Sequence, residues 1–365
     1  MSLVTAALIG ALAWRGPILA LVLPIAVPWL IFHQQTRLNA TAVALAYFSA
    51  ASAPAIAVTE AFAPGTVLHG WLIWLLASAI LSLPWALLWS ARSAQWIWRC
   101  PLALAVCAVP PVGLICWASP LLSAGLLFPG TGLVGVAATA FVPVVWPVRP
   151  LLLTATMLLA NLLYRPTLPT TAIEPLNTKD SADLFQKEEA ARTAIDSSHS
   201  ALVVLPEGAV RRWTEATEVF WAPTIEHLQA THRIALVGVG LPIAHSKEFQ
   251  NAVLVIGDER RQVLTQRIPI PVGMWKPFGP SDGVPLNLTG PGIIHVGRER
   301  LAILICYEQL LIWPVLQSAF EKPSLLVGVS NAAWTRQTNI PAVQEACLFA
   351  WSRLFGIPFI SAVNS

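Results

Sequence analysis

Two side chains suited to base-assisted nucleophilic chemistry stand about a hundred residues apart in this 365-residue chain. Glu207 lies in Val203-Val204-Leu205-Pro206-Glu207-Gly208, and Cys306 lies in Ile305-Cys306-Tyr307-Glu308. A thiol attacks a carbonyl carbon as its thiolate, and a carboxylate within hydrogen-bond reach can take its proton. Each residue follows an apolar run with the composition of a buried strand, 201–205 before Glu207 and 301–305 before Cys306. A strand end fixes its last residue against the sheet, so two neighbouring strands are predicted to bring the carboxylate and the thiol together. A cysteine closing an apolar strand is by itself commonly a core residue. The turn formers Pro206 and Gly208, and the acid Glu308 just beyond the thiol, favour chemistry at both positions.

The elements that must hold these residues follow from hydropathy. Thr170 to Glu174 reads as a short opening strand and 180–196 as an amphipathic helix. Strands are then expected at about 201–205, 234–239, 251–257, 262–268, 292–296, 301–305 and 324–329, with helices at 214–230, 308–320 and 342–355. Such alternation argues for an α/β layered domain over 168–365 with buried sheets. Gly238-Val239-Gly240 lacks the third glycine of a nucleotide fingerprint. His227, His232, His245 and His295 have no metal-ligand spacing, so neither a metal nor another cofactor is expected.

The first 164 residues differ in kind. They hold five basic residues (Arg15, Arg37, Arg92, Arg99, Arg149) and one acid, Glu60, leaving 17 basic and 18 acidic residues for the rest. Apolar stretches at about 17–32, 39–58, 70–90, 100–118, 121–143 and 150–164, with a shorter one at 2–14, predict a transmembrane domain of six or seven helices over 1–165. The short first stretch lacks a basic start and runs on through Gly16-Pro17, which argues against a cleaved leader. Arg37, Arg92 with Arg99, and Arg149 mark alternate loops as cytoplasmic, with Arg15 the exception, and place everything after Tyr164 on the far side of the membrane. Many of the 16 tryptophans lie near predicted span ends, as interfacial anchors do. A net charge of +3 carried by membrane-proximal arginines gives no reason to expect a nucleic-acid partner. Of five cysteines, Cys100, Cys107 and Cys116 fall in the apolar half, and Cys347 reads as a buried thiol.

Leu205-Pro206-Glu207, Ile305-Cys306-Tyr307-Glu308 and Val329-Ser330-Asn331-Ala332-Ala333-Trp334 resemble three motifs of the nitrilase, or carbon–nitrogen hydrolase, superfamily. Glu174-Pro175-Leu176-Asn177, Asn251-Ala252-Val253 and Pro271-Val272-Gly273 extend the match. A multi-span region ahead of such a domain resembles the apolipoprotein N-acyltransferase branch, and within it the whole chain looks most like the TraB-type conjugal-transfer proteins. The resemblance covers about 170–365 in detail and the apolar half in architecture.

It implies a four-layer αββα sandwich and a Glu-Lys-Cys catalytic set. Glu207 would be the general base, Cys306 the nucleophile that forms a thioester, and Glu308 a supporting carboxylate near the leaving group. The Tyr307 amide would help hold the oxyanion. Asn251, Ser330, Asn331 and Trp334 are candidate substrate-binding residues, and the three polar ones serve equally well as turn residues. The family's lysine aligns with Gln266, and the glutamate that usually follows Pro-Phe-Gly aligns with Met274. The missing donor is then Gln266 itself, its neighbour Arg267, or Lys276 from the following loop. Neighbours on a strand point to opposite faces, so Arg267 reaches the site only through a bulge.

The expected chemistry is acyl transfer or amide hydrolysis. A lipid-linked acyl donor from the outer leaflet of a bacterial inner membrane and a protein or small amine acceptor would be its partners, in the service of conjugal transfer. The alternative is a weakened or inactive component that supports conjugation or the envelope, favoured by Gln266 and Met274. A transporter-like membrane domain is disfavoured by the scarcity of ionisable residues in the spans.

Overall fold

The computed structural model describes residues 1–62, 67–169, 171–276, 282–335 and 338–365. Two compact units emerge. The first comprises Met1–Pro166, Leu310–Ala319 and Gln337–Gly356; the second comprises Thr167–Gln309, Phe320–Arg336 and Ile357–Ser365.

The first unit is helical. Among the described residues one helix, Leu68–Leu88, is long and apolar enough to cross a membrane, at 21 residues and mean hydropathy 2.0. A second candidate arises if Arg37–Ala51 and Pro54–Ala61, bent by 47° at their junction, form one span. The remaining apolar stretches fold as shorter helices, among them Ser2–Ala13, Trp96–Ala108, Leu133–Val145 and Pro150–Leu163. The expected six or seven spans are therefore not shown by helix length, and prolines interrupt several of the apolar stretches. Pro110 and Pro111 lack the amide hydrogens that would continue the helix past Ala108, and Pro129-Gly130 separates Ala124–Leu127 from Leu133–Val145. Residues 63–66 of the loop expected at 59–69 lie outside the described residues.

The second unit contains two sheets. Strands β1 (Ile173–Pro175), β2 (Leu202–Val204), β3 (Ile234–Pro242), β4 (Phe249–Ile256) and β5 (Val263–Thr265) form one in that order; β6 (Ile293–Val296), β7 (Glu299–Ile305), β8 (Leu325–Asn331) and β9 (Phe359–Asn364) form the other. Thr170, expected to open β1, lies outside the described residues. β1, β2 and β3 are parallel, as are β7, β8 and β9. Their runs are apolar at consecutive positions because both faces of a parallel strand are buried. Leu202, Val204 and Leu236 face Ile303, Ile305 and Val327 of the other sheet in a shared core. The intervening Val203, Ala235 and Val237 pack instead with Ile195, Trp221 and Leu228 from the helices Leu184–Ser197 and Glu215–Ala230. The second unit alone is thus three layers. The helices Ile312–Phe320 and Ile340–Phe355, which four-layer packing would set on the remaining sheet face, group chiefly with the first unit.

Candidate active site

Glu207 reaches its position by a detour of the backbone. After Leu205 donates to the Leu236 carbonyl at 2.8 Å, the chain leaves β3 and returns at Val210, which donates to Gly238 at 3.1 Å. The intervening Pro206–Ala209 turn lies directly on β3. A Cβ at Gly238 would meet the Pro206 carbonyl oxygen at 2.1 Å, so only glycine permits that approach. Gly208 completes the turn at φ 68°, a left-handed conformation open to glycine.

Cys306 follows β7 directly and opens a 3-10 turn, Cys306–Leu310. Its φ of 52° is left-handed, which costs a non-glycine residue about 1–2 kcal/mol. Three side chains hold the strand end that imposes it. Glu308 Oε2 accepts from the Ile305 amide at 3.0 Å, Gln266 Nε2 donates to the Ile305 carbonyl at 3.1 Å, and Gln309 Nε2 donates to the carbonyls of Leu304 and Val329 at 3.3 and 3.2 Å. A sterically disfavoured backbone pinned this thoroughly is typical of a functional position.

The carboxylate and the thiol meet. The Cys306 thiol donates to the Glu207 carboxylate. Glu207 Oε1 also accepts from Asn251 Nδ2 at 2.6 Å, and Oε2 accepts from the Asn331 amide at 2.9 Å. Asn251 Nδ2 donates in turn to Gln266 Oε1 at 2.9 Å. Glu207 is only 6% exposed and Cys306 only 2%. Burial pushes the Glu207 carboxyl above the usual carboxylate range; the hydrogen bonds from Cys306, Asn251 and Asn331 oppose that push, and the nearby Glu308 charge adds to it. Burial also pushes the Cys347 thiol well up, with no carboxylate contributing.

The three candidates for the family's lysine sort by geometry. Gln266 follows β5 and turns its amide toward Asn251 and Glu207. Arg267, one residue on, points the other way, as neighbours on extended chain do. It is fully buried with Glu308, Nε to Oε1 at 3.4 Å, and its guanidinium also donates to the Ile303 carbonyl at 3.4 Å. Lys276 pairs with Asp282 at 2.8 Å. Gln266 is therefore the side chain that joins the Glu207 cluster, a neutral amide where a cation was expected.

Glu308 is occupied by backbone. Besides Ile305, its carboxylate accepts from the amides of Arg267 and Ile268 at 2.6 and 3.2 Å. It ties the end of β7 to the segment that carries Gln266. Tyr307 sits in the 3-10 turn, partly buried; Ser330 is buried in β8; and Trp334 packs against the core between the sheets. Asn331 serves Glu207 through its backbone, while its side chain accepts from Ala333 N at 3.1 Å and Asn364 Nδ2 at 3.1 Å.

A cleft of about 410 Å³ leads to Glu207, Asn251 and Asn331 and is walled by Lys187, Arg211, Arg212 and Phe249. Its lining stops at Glu207 without including Cys306. Sequence reasoning passed over these basic residues. The available signal was the Arg211-Arg212 pair a few positions beyond Glu207, in the loop at the C-terminal end of a parallel strand, where α/β sheets bind ligands. Among the described residues no cluster of His, Cys, Asp and Glu is placed to hold a metal ion.

Comparison with known proteins gives two full-length relatives. A probable conjugal transfer protein TraB of Sinorhizobium fredii is 32% identical over 375 residues, covering 98% of this chain and 96% of that protein. A conjugal transfer protein TraB of Agrobacterium fabrum is 30% identical over 386 residues, covering 98% and 90%. No protein-family model matches. Similar solved structures include a carbon–nitrogen hydrolase from Helicobacter pylori, with a TM-score of 0.42 and 15% identity over 53% of this chain and 73% of that one. Another is a nitrilase-superfamily amidase from Nesterenkonia, with a TM-score of 0.36 and 12% identity over 54% and 78%.

Proposed function

Because this chain belongs to the TraB family of conjugal transfer proteins, we propose that it is a membrane-anchored carbon–nitrogen hydrolase-like enzyme that serves conjugation through a Cys306 thioester. The observation that carries this reading is the thiol of Cys306, held at a left-handed strand end, donating to the buried Glu207 carboxylate. In the first half-reaction the Cys306 thiol gives its proton to Glu207 as sulfur bonds the substrate carbonyl carbon. The bond from that carbon to the amide nitrogen, or to the ester oxygen of a lipid donor, then breaks, and the amine or alcohol leaves with the proton from Glu207. In the second, an amine or water gives its proton to Glu207 and attacks the thioester. The carbon–sulfur bond breaks and the proton returns to sulfur. Transfer to an amine makes the enzyme an acyltransferase, and transfer to water makes it an amidase. The Tyr307 amide, next to Cys306, is the oxyanion donor in this scheme, with Gln266 holding Asn251 and the Ile305 carbonyl in place rather than supplying charge.

Anchoring in a bacterial inner membrane rests on composition and on apolar side chains turned outward. Leu68, Leu72, Leu76 and Leu87 of one helix are exposed, as are Leu151, Leu152, Leu162 and Leu163 of Pro150–Leu163, a helix that buries no residue. With Arg37, Arg92, Arg99 and Arg149 cytoplasmic, a reporter fused at Ser365 is expected to behave as periplasmic and one near Ser93 as cytoplasmic. A cytoplasmic signal at Ser365 would remove an outer-leaflet lipid as the acyl donor.

The neutral Gln266 favours a second reading, a catalytically weakened component that supports transfer by its presence. Plasmid transfer from donors carrying Cys306→Ala separates the two. The enzyme reading expects transfer frequency to fall to that of a deletion, with the variant present in membranes at normal level. Normal transfer would establish the supporting role instead.

A further inference from the structure

We infer that Arg211 and Arg212 form an anion-binding subsite in the cleft leading to Glu207, so that the substrate carries a carboxylate or phosphate group away from its reacting carbonyl. This rests on the reading of Glu207 and Cys306 as a reactive pair. The cleft's charges do not cancel. Lys187 is neutralised by Asp180, Nζ to Oδ1 at 2.9 Å. Among the described residues no carboxylate lies within ion-pair distance of Arg211 or Arg212. Two cations therefore face the approach to a buried carboxyl, and a planar guanidinium matches the paired oxygens of a carboxylate or phosphate.

The subsite is held in place on both sides. Val210 and Gly240 exchange backbone hydrogen bonds with their neighbours across β3, Gly240 N to Val210 O at 3.2 Å, and Trp213 donates to the Gly240 carbonyl at 2.9 Å. The two arginines between those anchors have little freedom of backbone position. The Arg212 guanidinium lies over the Phe249 ring at 4.4 Å, which fixes its plane at the cleft wall. A volume of about 410 Å³ is at the small end for ligand pockets, so the cleft takes a small molecule or one polar end of a larger one.

The test measures equilibrium binding of glutarate, sn-glycerol 3-phosphate and neutral butyramide to the purified full-length chain and to Arg211→Gln, Arg212→Gln and the matching lysine variants. Both positions are exposed, so folding is expected to survive. The expected result is that an anion binds, that either glutamine variant weakens it about tenfold, that lysine restores part of the loss, and that butyramide does not compete. The tighter of the two anions tells a carboxylate metabolite from a phosphate headgroup. Binding of neither anion, or binding indifferent to both arginines, overturns the subsite. Capture of acyl groups on Cys306 is read separately. Arginine-dependent binding without any acylation leaves the subsite standing and removes the thioester chemistry, and the reverse outcome removes the subsite alone.

Discussion

Glu207→Gln is expected to slow acylation of Cys306 by about 10²–10⁴, the range set by loss of a positioned general base. The substitution keeps the size of the side chain and an acceptor for one of its two donors, Asn251 Nδ2 or the Asn331 amide, but it removes the group that takes the thiol proton. Alkylation of Cys306 by iodoacetamide is expected to slow in parallel, whereas Cys347, whose thiol burial holds in the protonated form, is expected to label slowly in both proteins. The pH profile supplies a sign. Glu207 must be ionised to act as base, and burial raises its pKa, so the acid limb of the rate profile is expected above the ordinary carboxylate range and to vanish in Glu207→Gln. The same shift acts against stability as pH rises. The folded protein holds this proton more tightly than the unfolded chain, so ionising Glu207 costs stability as pH climbs from the unfolded pKa to the folded one. Equal labelling of both cysteines, unchanged by the substitution, would mark Cys306 as a core thiol.

Glu308→Gln is expected to cost about 3–5 kcal/mol of stability, because it strands a buried guanidinium. Arg267 and Glu308 are both fully buried, and the carboxylate accepts three backbone amides as well. An amide side chain would aim a donor at one of those donors. At roughly 2–4 °C per kcal/mol the apparent Tm is expected to fall by about 10 °C, with Cys306 reactivity falling because the strand end is released. Arg267→Met added to Glu308→Gln is expected to recover part of the loss, since the stranded guanidinium is then gone and no unpaired charge stays buried. An unchanged Tm with a reduced rate would instead place Glu308 at the leaving group.

The strands that carry the site were legible because parallel strands buried on both faces read as unbroken apolar runs, as 201–205 and 301–305 do. Glu207 and Cys306 do meet at strand ends, but β2 and β7 belong to different sheets, so they meet between facing sheets and not on neighbouring strands as expected. Other features depended on contacts that no linear pattern encodes. The helix expected from 308 begins as α-helix only at Ile312, because the left-handed Cys306 and the side chain of Glu308 spend the first turn on the strand ends. Strand alternation separated Gln266 from Arg267 but could not say which faced Glu207; the Glu308 partnership decided it. The apolar half offered continuous hydropathy, whereas its prolines divided that hydropathy into helices mostly shorter than a bilayer. Arg211 and Arg212 drew no expectation from the sequence, because what holds them at the cleft is the fastening of their backbone to β3.

The central claim is that Cys306 carries an acyl group during turnover. The most direct measurement is intact and peptide mass spectrometry of the full-length protein, taken from donor-cell membranes and quenched in acid so that a thioester survives. The expected result is a hydroxylamine-labile acyl adduct on the Cys306 peptide, strongly reduced in Glu207→Gln and absent from Cys306→Ala. A Cys306 peptide of unmodified mass in every preparation, from cells actively transferring plasmid, would contradict it.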